Sequence, residues 1–253
     1  MKMNMEQKPA GVKESLKILY EDNHLLAIEK PGGLLIQGDR TGDPTLLEAA
    51  KAYLKEKYRK PGGVYLGLVH RLDRVTSGVV LLAKTSKAAA RLSEVFREGG
   101  VRKAYLAVVE GHLSEEAGIM KAYLRWDARL GRTLVSETPR EGFRKAVTGF
   151  KVVGRFKGST ALLLFPETGR KHQLRAQLAH IGHPVMGDRR YGSRRRVLSG
   201  KAILLHALAL ALMHPIKRFP LFLFAPLPSY FPSIPCESKD LKAFLLPDGQ
   251  NNF

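Results

Sequence analysis

The nine-residue segment HRLDRVTSG, from His70 to Gly78, carries the residue types best suited to chemistry. Its carboxylate, Asp73, stands between Arg71 and Arg74 in a polar stretch that separates two apolar runs. A nearby guanidinium favours the ionised form of a carboxylate, even where the group is partly removed from water. An ionised carboxylate of this kind can act as a nucleophile or as a general base. The spacing also fits a structural Arg–Asp pair that fixes a turn, and by itself it favours that simpler interpretation.

Two other kinds of site find less support in the sequence. Hydrolysis of a glycosidic bond by two carboxylates needs a second acid opposite the first. The acids nearest the later motifs are Glu167 and Asp188, and the Gly-Asp pair at Asp188 is typical of a turn. A phosphate-binding loop of the GxxxxGK[ST] type is absent from the sequence.

Several histidines lie close enough in sequence to raise the question of a metal. They are His172, His180, His183, His206 and His214. No HExxH pattern accompanies them, and carboxylates at ligand spacing are missing. We therefore expect no metal site, and we expect His70 and His172 to make structural hydrogen bonds near Asp73.

The charge of the chain points to a polyanionic partner. Lys and Arg number 42 against 23 Asp and Glu, so the net charge is +19, while 44% of the residues are hydrophobic. That much apolar content excludes a disordered basic tail, and a folded domain with this surplus charge repels itself unless it meets a polyanion. RNA or DNA is the first candidate and an anionic membrane surface the second. No apolar run reaches the roughly 18 residues of a membrane span.

The elements before Asp73 are predicted from local signals. Apolar runs at residues 16–20 and 25–30 flank a short polar turn, which predicts a β-hairpin. Thr45 followed by Glu48 predicts a capping box, and apolar residues at helical spacing follow it. A helix is therefore expected to begin at this point.

Strands are predicted on both sides of the polar turn that carries Asp73. They cover residues 64–70 and 79–84, so the carboxylate should project from the end of a rigid sheet. Ser86 is the predicted N-cap of the helix that follows.

Strand signals dominate the rest of the chain, at residues 105–110, 146–153, 160–165, 203–212 and 219–224. Residues 171–181 have a helical pattern that places Arg175 on the same face as Lys171. Strands that come in runs predict an α+β fold with a largely antiparallel mixed sheet and flanking helices.

One domain is predicted, because no repeat or long linker divides the chain. It spans residues 16–235, after a flexible leader at residues 1–15 and before a C-terminal tail at residues 236–253. The single cysteine, Cys236, excludes a disulfide framework and favours a reducing compartment. We expect a cytoplasmic monomer.

The segment from His70 to Gly78 is similar to the signature of the RluA-type pseudouridine synthases, in which HRLD is followed by two variable residues and TSG. Four further segments agree in the expected order. They are LYED to KPGGL at residues 19–34, KAYLA at residues 103–107, TGRKHQLR with GHP and GD…YG at residues 168–192, and LHA…HP at residues 205–215. Lys171 and Gln177 depart from the residues that the family more often has there, and Val75 departs as well. Because few residues precede the first motif, we expect the chain to lack the N-terminal S4 module of many relatives.

The resemblance implies the pseudouridine synthase fold and a cofactor-free isomerisation of uridine in RNA. Asp73 matches the essential aspartate, whose first act is either attack on the anomeric carbon or removal of the proton at the 2′ carbon. Tyr105 matches the tyrosine that packs on the uracil, and Arg175 matches the arginine that pairs with the aspartate. Arg71 matches the arginine that enters the space vacated by the flipped nucleotide.

Cationic residues are expected to hold RNA through its phosphates, with strong salt dependence. The predicted contacts are Arg71, Arg74, Arg170, Lys171, Arg189, Arg190, Arg194, Arg195 and Arg196. A second, looser cationic group surrounds Trp126, and either RNA contact or a solvated surface fits it. The predicted partner is ribosomal or transfer RNA. The main alternative is a catalytically silent RNA-binding or ribosome-assembly protein on the same fold, and a weaker one is a glycosidase acting on free nucleosides.

Overall fold

Eleven strands form one sheet in the computed structural model, which describes residues 16–39, 41–234 and 238–246. The strands are β1 (Lys17–Glu21), β2 (Leu25–Lys30), β3 (Gly67–Leu68), β4 (Ser77–Ala83), β5 (Arg102–Glu110), β6 (Ala117–Asp127), β7 (Arg132–Ser136), β8 (Arg144–Phe156), β9 (Ser159–Pro166), β10 (Leu205–Met213) and β11 (Pro220–Phe224). The helices are α1 (Leu46–Lys57), α2 (Ser86–Arg97), α3 (Gln173–His180) and α4 (Ser238–Leu245). The predicted leader at residues 1–15 and Cys236 lie outside the described residues.

The strands follow the order β1-β2-β4-β10-β5-β9-β8-β6-β7, with β11 beside β10 and β3 beside β4. Of the strand pairs that the structure describes, β4 with β10 is parallel and the others are antiparallel. The predicted α+β class with a largely antiparallel mixed sheet is confirmed.

The parallel pairing of β4 with β10, which we call the parallel joint, begins just after the turn that carries Asp73. Gly78 lies there with a φ of +120°, and a Cβ at this position would be 2.2 Å from the carbonyl oxygen of Ala207 on β10. Only glycine permits both the backbone conformation and the close approach of the neighbouring strand. The joint therefore fixes the start of β4, and with it the turn that carries Asp73.

The alternation of side chains along β5 directs Tyr105 toward two helices. Leu106 packs in a core with Leu241 of α4. Tyr105, which points the other way, packs against the core of α3 at Leu174 and against the core of α1 at Leu46. Tyr105 consequently lies on the face of β5 that α1 and α3 flank.

The first elements agree with the local signals in the sequence. The hairpin forms as β1 and β2. Thr45 and Glu48 make the predicted capping box, with both nitrogen–oxygen distances at 3.1 Å. The strand expected at residues 64–70 is shorter, since only Gly67–Leu68 pairs with β4.

Two predicted helix starts are wrong by one or two residues. Thr85, rather than Ser86, caps α2, because its hydroxyl accepts the backbone N–H of Ala88 at 3.2 Å. Helix α3 begins at Gln173, because His172 has a left-handed backbone conformation with a φ of 52°. Lys171 therefore precedes the helix instead of sharing a face with Arg175.

The sequence patterns did not predict β6, β7 or α4. Helix α4 falls within the segment expected to be a C-terminal tail, and its Leu241 and Leu245 are buried against the sheet. No helix within the described ranges is long and apolar enough to cross a membrane.

Candidate active site

Asp73 lies in the turn that precedes β4, with its side chain 27% exposed. The backbone N–H of Thr76 donates to the Asp73 carbonyl at 3.1 Å and closes the turn. Leu72, the preceding residue, is buried in the core beneath α1. The turn is thus held by an apolar residue on one side and by β4 on the other.

Lys30, at the end of β2, stabilises this turn by a hydrogen bond to the carbonyl of Arg74. Its side chain is fully buried, and Nζ donates to the carbonyls of Pro31, Leu34 and Arg74 at 2.9–3.0 Å. Burial lowers the pKa of Lys30 to about 7, although the charge of Asp73 opposes the shift. The buried amine therefore joins the KPGG segment to the residue next to Asp73.

Arg175 reaches Asp73 from α3. Its Nη1 donates to Oδ2 of Asp73 at 2.8 Å, and the residue is only 4% exposed. The opposite edge of the same guanidinium meets Asp188: Nε and Nη2 donate to its two carboxylate oxygens at 2.6 and 2.9 Å. Burial by itself would lower the pKa of Arg175, but Asp188 and then Asp73 raise it above its ordinary value.

Asp188 has a role that the sequence did not predict. It lies in a turn, as expected, but it is 2% exposed and is the rear partner of Arg175. A buried guanidinium requires a carboxylate beside it, because the desolvation of an unpaired charge is costly. The sequence feature that could have indicated this role is the Gly187-Asp188 pair, which lies in the same motif segment, residues 168–192, as Arg175.

His172 and Tyr191 lie on the buried side of the site, behind Asp73. The Tyr191 hydroxyl oxygen accepts the backbone N–H of Thr133 at 2.7 Å and lies 2.9 Å from Nδ1 of His172. The Tyr191 hydroxyl can therefore donate its proton to Nδ1 of His172. The neutral ring then carries its own proton on Nε2, which lies 3.6 Å from Oδ1 of Asp73. Burial lowers the pKa of His172 to about 4, so the ring is neutral at physiological pH. This placement agrees with the structural role expected of His172.

Tyr105 faces the same space from β5. Burial, followed by the charge of Asp73, raises the pKa of its hydroxyl. The hydroxyl therefore stays protonated at neutral pH. The ring packs against the two cores that contain Leu72, next to Asp73, and Leu174, next to Arg175. The structure brings together Asp73, Tyr105 and Arg175, which the sequence places at three distant positions.

Three of the cations expected to contact RNA lie around Asp73. Nζ of Lys171 is 3.3 Å from the centroid of the Trp126 ring. Burial lowers the pKa of Lys171, Asp73 opposes this shift, and the charges of Arg71 and Arg190 add to it. Arg71, Lys171 and Arg190 therefore form a positive rim at the mouth of the site.

The remaining cations are placed differently. The guanidinium of Arg74 pairs with Asp43 at 2.7 Å, and its Nε donates to the carbonyl of Gly33 at 3.0 Å. Arg170 is exposed, and its Nε donates to the carbonyl of Lys145 at 3.2 Å. Arg189 is also exposed, in the short turn of residues 189–191 that follows Asp188.

The arginine run at Arg194, Arg195 and Arg196 is exposed but does not face Asp73. The backbone N–H of Arg194 donates to Glu110 at 3.1 Å. Glu110 ends β5 five residues beyond Tyr105, which corresponds to about 17 Å along a strand. The structure therefore separates this run from the rim around Asp73.

Comparison with known proteins decides the family. The family model described as RNA pseudouridylate synthase matches residues 24–180, more than half of the chain. The chain belongs to the RNA pseudouridylate synthase family. The RluA-type resemblance of its motifs is thereby confirmed.

Two curated members of this pseudouridylate synthase family show how much of the chain is shared. Ribosomal large subunit pseudouridine synthase D of Xylella fastidiosa is 36% identical over 229 residues, which cover 84% of this chain and 66% of the relative. Ribosomal large subunit pseudouridine synthase C of Escherichia coli is 38% identical over 210 residues, which cover 78% of this chain and 62% of the relative. The chain thus spans a little under two thirds of the length of these relatives.

A solved pseudouridylate synthase structure has the same fold. The human protein RNA Pseudouridylate Synthase Domain Containing 1 superposes with a TM-score of 0.72 at 27% identity. The superposition covers 94% of this chain and 97% of that chain.

Two further histidines of this family member, His206 and His70, serve the framework. Nε2 of His206 donates to the carbonyl of Ala225 at 3.1 Å, so Nδ1 accepts from the Ser77 hydroxyl at 2.8 Å and ties β10 to β4. Nε2 of His70 accepts the backbone N–H of Leu81 at 2.8 Å, as its expected structural role requires. Among residues 16–39, 41–234 and 238–246, no three metal-ligating side chains come together.

Proposed function

We propose that this protein isomerises uridine to pseudouridine in RNA, with Asp73 as the catalytic carboxylate. The observation that carries the proposal is the 2.8 Å contact between Asp73 and the buried Arg175, beside Tyr105, in a chain of the RNA pseudouridylate synthase family. Both curated relatives are named for the ribosomal large subunit. We therefore favour large-subunit ribosomal RNA over transfer RNA as the substrate.

The target nucleotide must leave its helix before the sugar can reach Asp73. Extrusion of a base costs a few kcal/mol. The ring of Tyr105 offers the extruded uracil a stacking surface, which stabilises it by about 1–3 kcal/mol. Arg71 is exposed two residues before Asp73, so its side chain can fill the vacated space.

The reaction exchanges one bond for another within a single nucleotide. The bond from N1 of uracil to the anomeric carbon breaks, the base turns, and carbon 5 bonds to the same sugar carbon. Carbon 5 then loses its proton and N1 gains one, so the mass of the RNA is unchanged. Ionised Asp73 begins the sequence, either by attack on the anomeric carbon or by removal of the proton at the 2′ carbon.

Arg175 supports either first step by electrostatics. Its guanidinium is bonded to the carboxylate of Asp73 before the reaction, and its position is fixed in advance by Asp188. A cation held in place needs no reorganisation as charge develops, which is the chief advantage of a preorganised site. The rim of Arg71, Lys171 and Arg190 is suited to meet the phosphates on either side of the extruded nucleotide.

Release of tritium from RNA labelled at carbon 5 of uridine tests the proposal. The substrates are unmodified transcripts of large-subunit ribosomal RNA and of transfer RNAs, incubated separately with the purified chain. We expect tritium in the water with the ribosomal transcript, and pseudouridine in its nucleoside digest. RNA binding without tritium release would support the catalytically silent alternative, and free uracil would support a glycosidase.

A further inference from the structure

A basic groove runs along the β6–β7 hairpin, outside the site of Asp73. It consists of two adjoining cavities of about 480 and 300 Å³, and both include Arg125 and Thr133 in their walls. The larger cavity lies between β7 and α3, where Ala176 and Ala179 form part of its floor. The smaller one is bounded by Trp126 and Lys171. We call the two cavities together the arginine groove.

The walls of the arginine groove carry a surplus of positive charge. Its arginines are Arg125, Arg132, Arg140, Arg144 and Arg170. Within the described part of the chain, none of the five has a carboxylate within 4 Å. Glu137, which follows β7, is exposed and lies 3.4 Å from Nε2 of His180. Five uncompensated guanidinium groups lining one concave surface repel each other, and an anion that enters the groove relieves the repulsion.

Aromatic rings lie among these charges. The guanidinium of Arg125 is 5.1 Å from the centroid of the half-buried Phe143 ring, and Lys171 covers one face of Trp126. Arginines interleaved with aromatic rings are typical of surfaces that follow a single nucleic-acid strand. The groove therefore fits an RNA backbone better than a small anion, which would need only one or two of the cations.

The arginine groove is continuous with the site of Asp73. The Thr133 hydroxyl donates to the carbonyl of Lys171 at 2.7 Å, and the Thr133 N–H donates to the Tyr191 hydroxyl. Tyr191 in turn contacts His172, which faces Asp73. A strand of RNA that passes over Lys171 as it leaves the site would therefore enter the groove directly.

We propose that the arginine groove binds the backbone of the RNA segment that flanks the target uridine. This inference rests on the proposed function for the identity of the RNA, but its binding test does not depend on catalysis. The phosphates meet the guanidinium groups, and the groove adds affinity and holds the flanking strand in register with Asp73.

The test compares the unaltered chain with the double variant R132Q/R140Q, which removes two charges from the larger cavity. A control, K239Q/K242Q, removes two exposed charges from α4, on the face of β5 opposite Tyr105. A second groove variant, R132K/R140K, keeps the charges. The probe is a fluorescent 12-nucleotide oligouridylate, and its affinity is measured by anisotropy over a range of KCl concentrations.

We expect R132Q/R140Q to bind the probe about ten-fold more weakly. Its slope of log affinity against log salt should fall by about 1.4, since each phosphate that is no longer neutralised lowers the slope by about 0.7. The control and the R132K/R140K variant should retain most of the affinity and of the slope. Unchanged binding by R132Q/R140Q, or an equal reduction in the α4 control, would overturn the proposal. An unfolding midpoint equal to that of the unaltered chain shows that the groove variant is folded.

Tritium release from the ribosomal transcript then separates the two proposals. In R132Q/R140Q we expect KM to rise by a larger factor than kcat falls, since the groove contacts RNA away from the reacting atoms. If the unaltered chain releases no tritium from either RNA, the proposed function fails. The groove is then judged by the anisotropy result alone.

Discussion

Asp188 holds Arg175 from behind, with both of its carboxylate oxygens bonded to Nε and Nη2 of the guanidinium. The remaining nitrogen, Nη1, points at Asp73. Under the proposed function this arrangement makes Asp188 a positioning residue, since it reaches the proposed catalytic carboxylate, Asp73, only through Arg175. It also explains how a cation that is 4% exposed can persist near the middle of the fold.

Replacement of Asp188 by Asn removes the rear charge while keeping the shape. The buried guanidinium then lacks one partner, and such changes cost about 3–5 kcal/mol of unfolding free energy. We expect kcat for tritium release to fall with little change in KM, because Nη1 is no longer held toward Asp73. Urea unfolding and steady-state kinetics measure the two effects. A purely structural role would lower the folded fraction but leave kcat per folded molecule unchanged.

Arg175→Lys keeps the positive charge but loses the planar fork. An ammonium cannot bond both oxygens of Asp188 and reach Asp73 at the same time. We expect kcat to fall roughly 100-fold, as for other small displacements of a catalytic group. Arg155→Lys is the matched control, because Arg155 forms an exposed pair with Glu116 at 2.6 Å and such pairs contribute little. Equal activity of the two lysine variants would contradict the role given to Arg175.

Tyr105→Phe and Tyr105→Ala separate the ring of Tyr105 from its hydroxyl. In the proposed function the ring stacks on the extruded uracil, and a stacked base is worth about 1–3 kcal/mol. We therefore expect the Ala variant to lose more kcat/KM than the Phe variant in the tritium assay. An equal loss in both would assign the contribution to the hydroxyl.

Acid should weaken the fold before it reaches the range where carboxylates titrate. His70, His172 and His206 each have a pKa lowered to about 4, chiefly by burial, against an ordinary value of 6.5. Between these values the unfolded chain binds protons that the folded chain does not, so the free energy of unfolding falls as the pH drops from about 6.5 to 4. Urea unfolding at several pH values measures the slope.

The variant His70→Gln provides a check on this slope. Its side-chain oxygen can accept the N–H of Leu81 as Nε2 does in the unaltered chain. Removal of one titrating ring should reduce the slope by up to about 1.4 kcal/mol per pH unit. An unchanged slope would mean that other groups cause the acid sensitivity.

Local signals in the sequence predicted much of the framework. The hairpin β1–β2 and the capping box of Thr45 and Glu48 each depend on residues within a few positions of one another. The strands β6 and β7 were missed, although alternate residues of β6 such as Met120 and Leu124 are buried. Charged residues on the other face of β6 made this pattern resemble a solvated surface.

The site itself was predicted only in part, because its contacts are long-range. The resemblance supplied Asp73, Tyr105 and Arg175, which are up to 102 positions apart. Lys30 bonds to a carbonyl 44 positions away, and no local pattern indicates such a bond. Asp188 was predicted only as a turn residue, since a turn and a buried ion pair use the same residue type.

The tritium release of Asp73→Asn tests the central claim most directly. The amide keeps the size of the carboxylate but cannot act as a nucleophile or a base. With the variant in excess over labelled ribosomal transcript, we predict no tritium release in a single turnover, while binding of the oligouridylate probe is retained. The matched control Asp240→Asn, on exposed α4, should release tritium as the unaltered chain does. Release by Asp73→Asn at the rate of the unaltered chain would contradict the account.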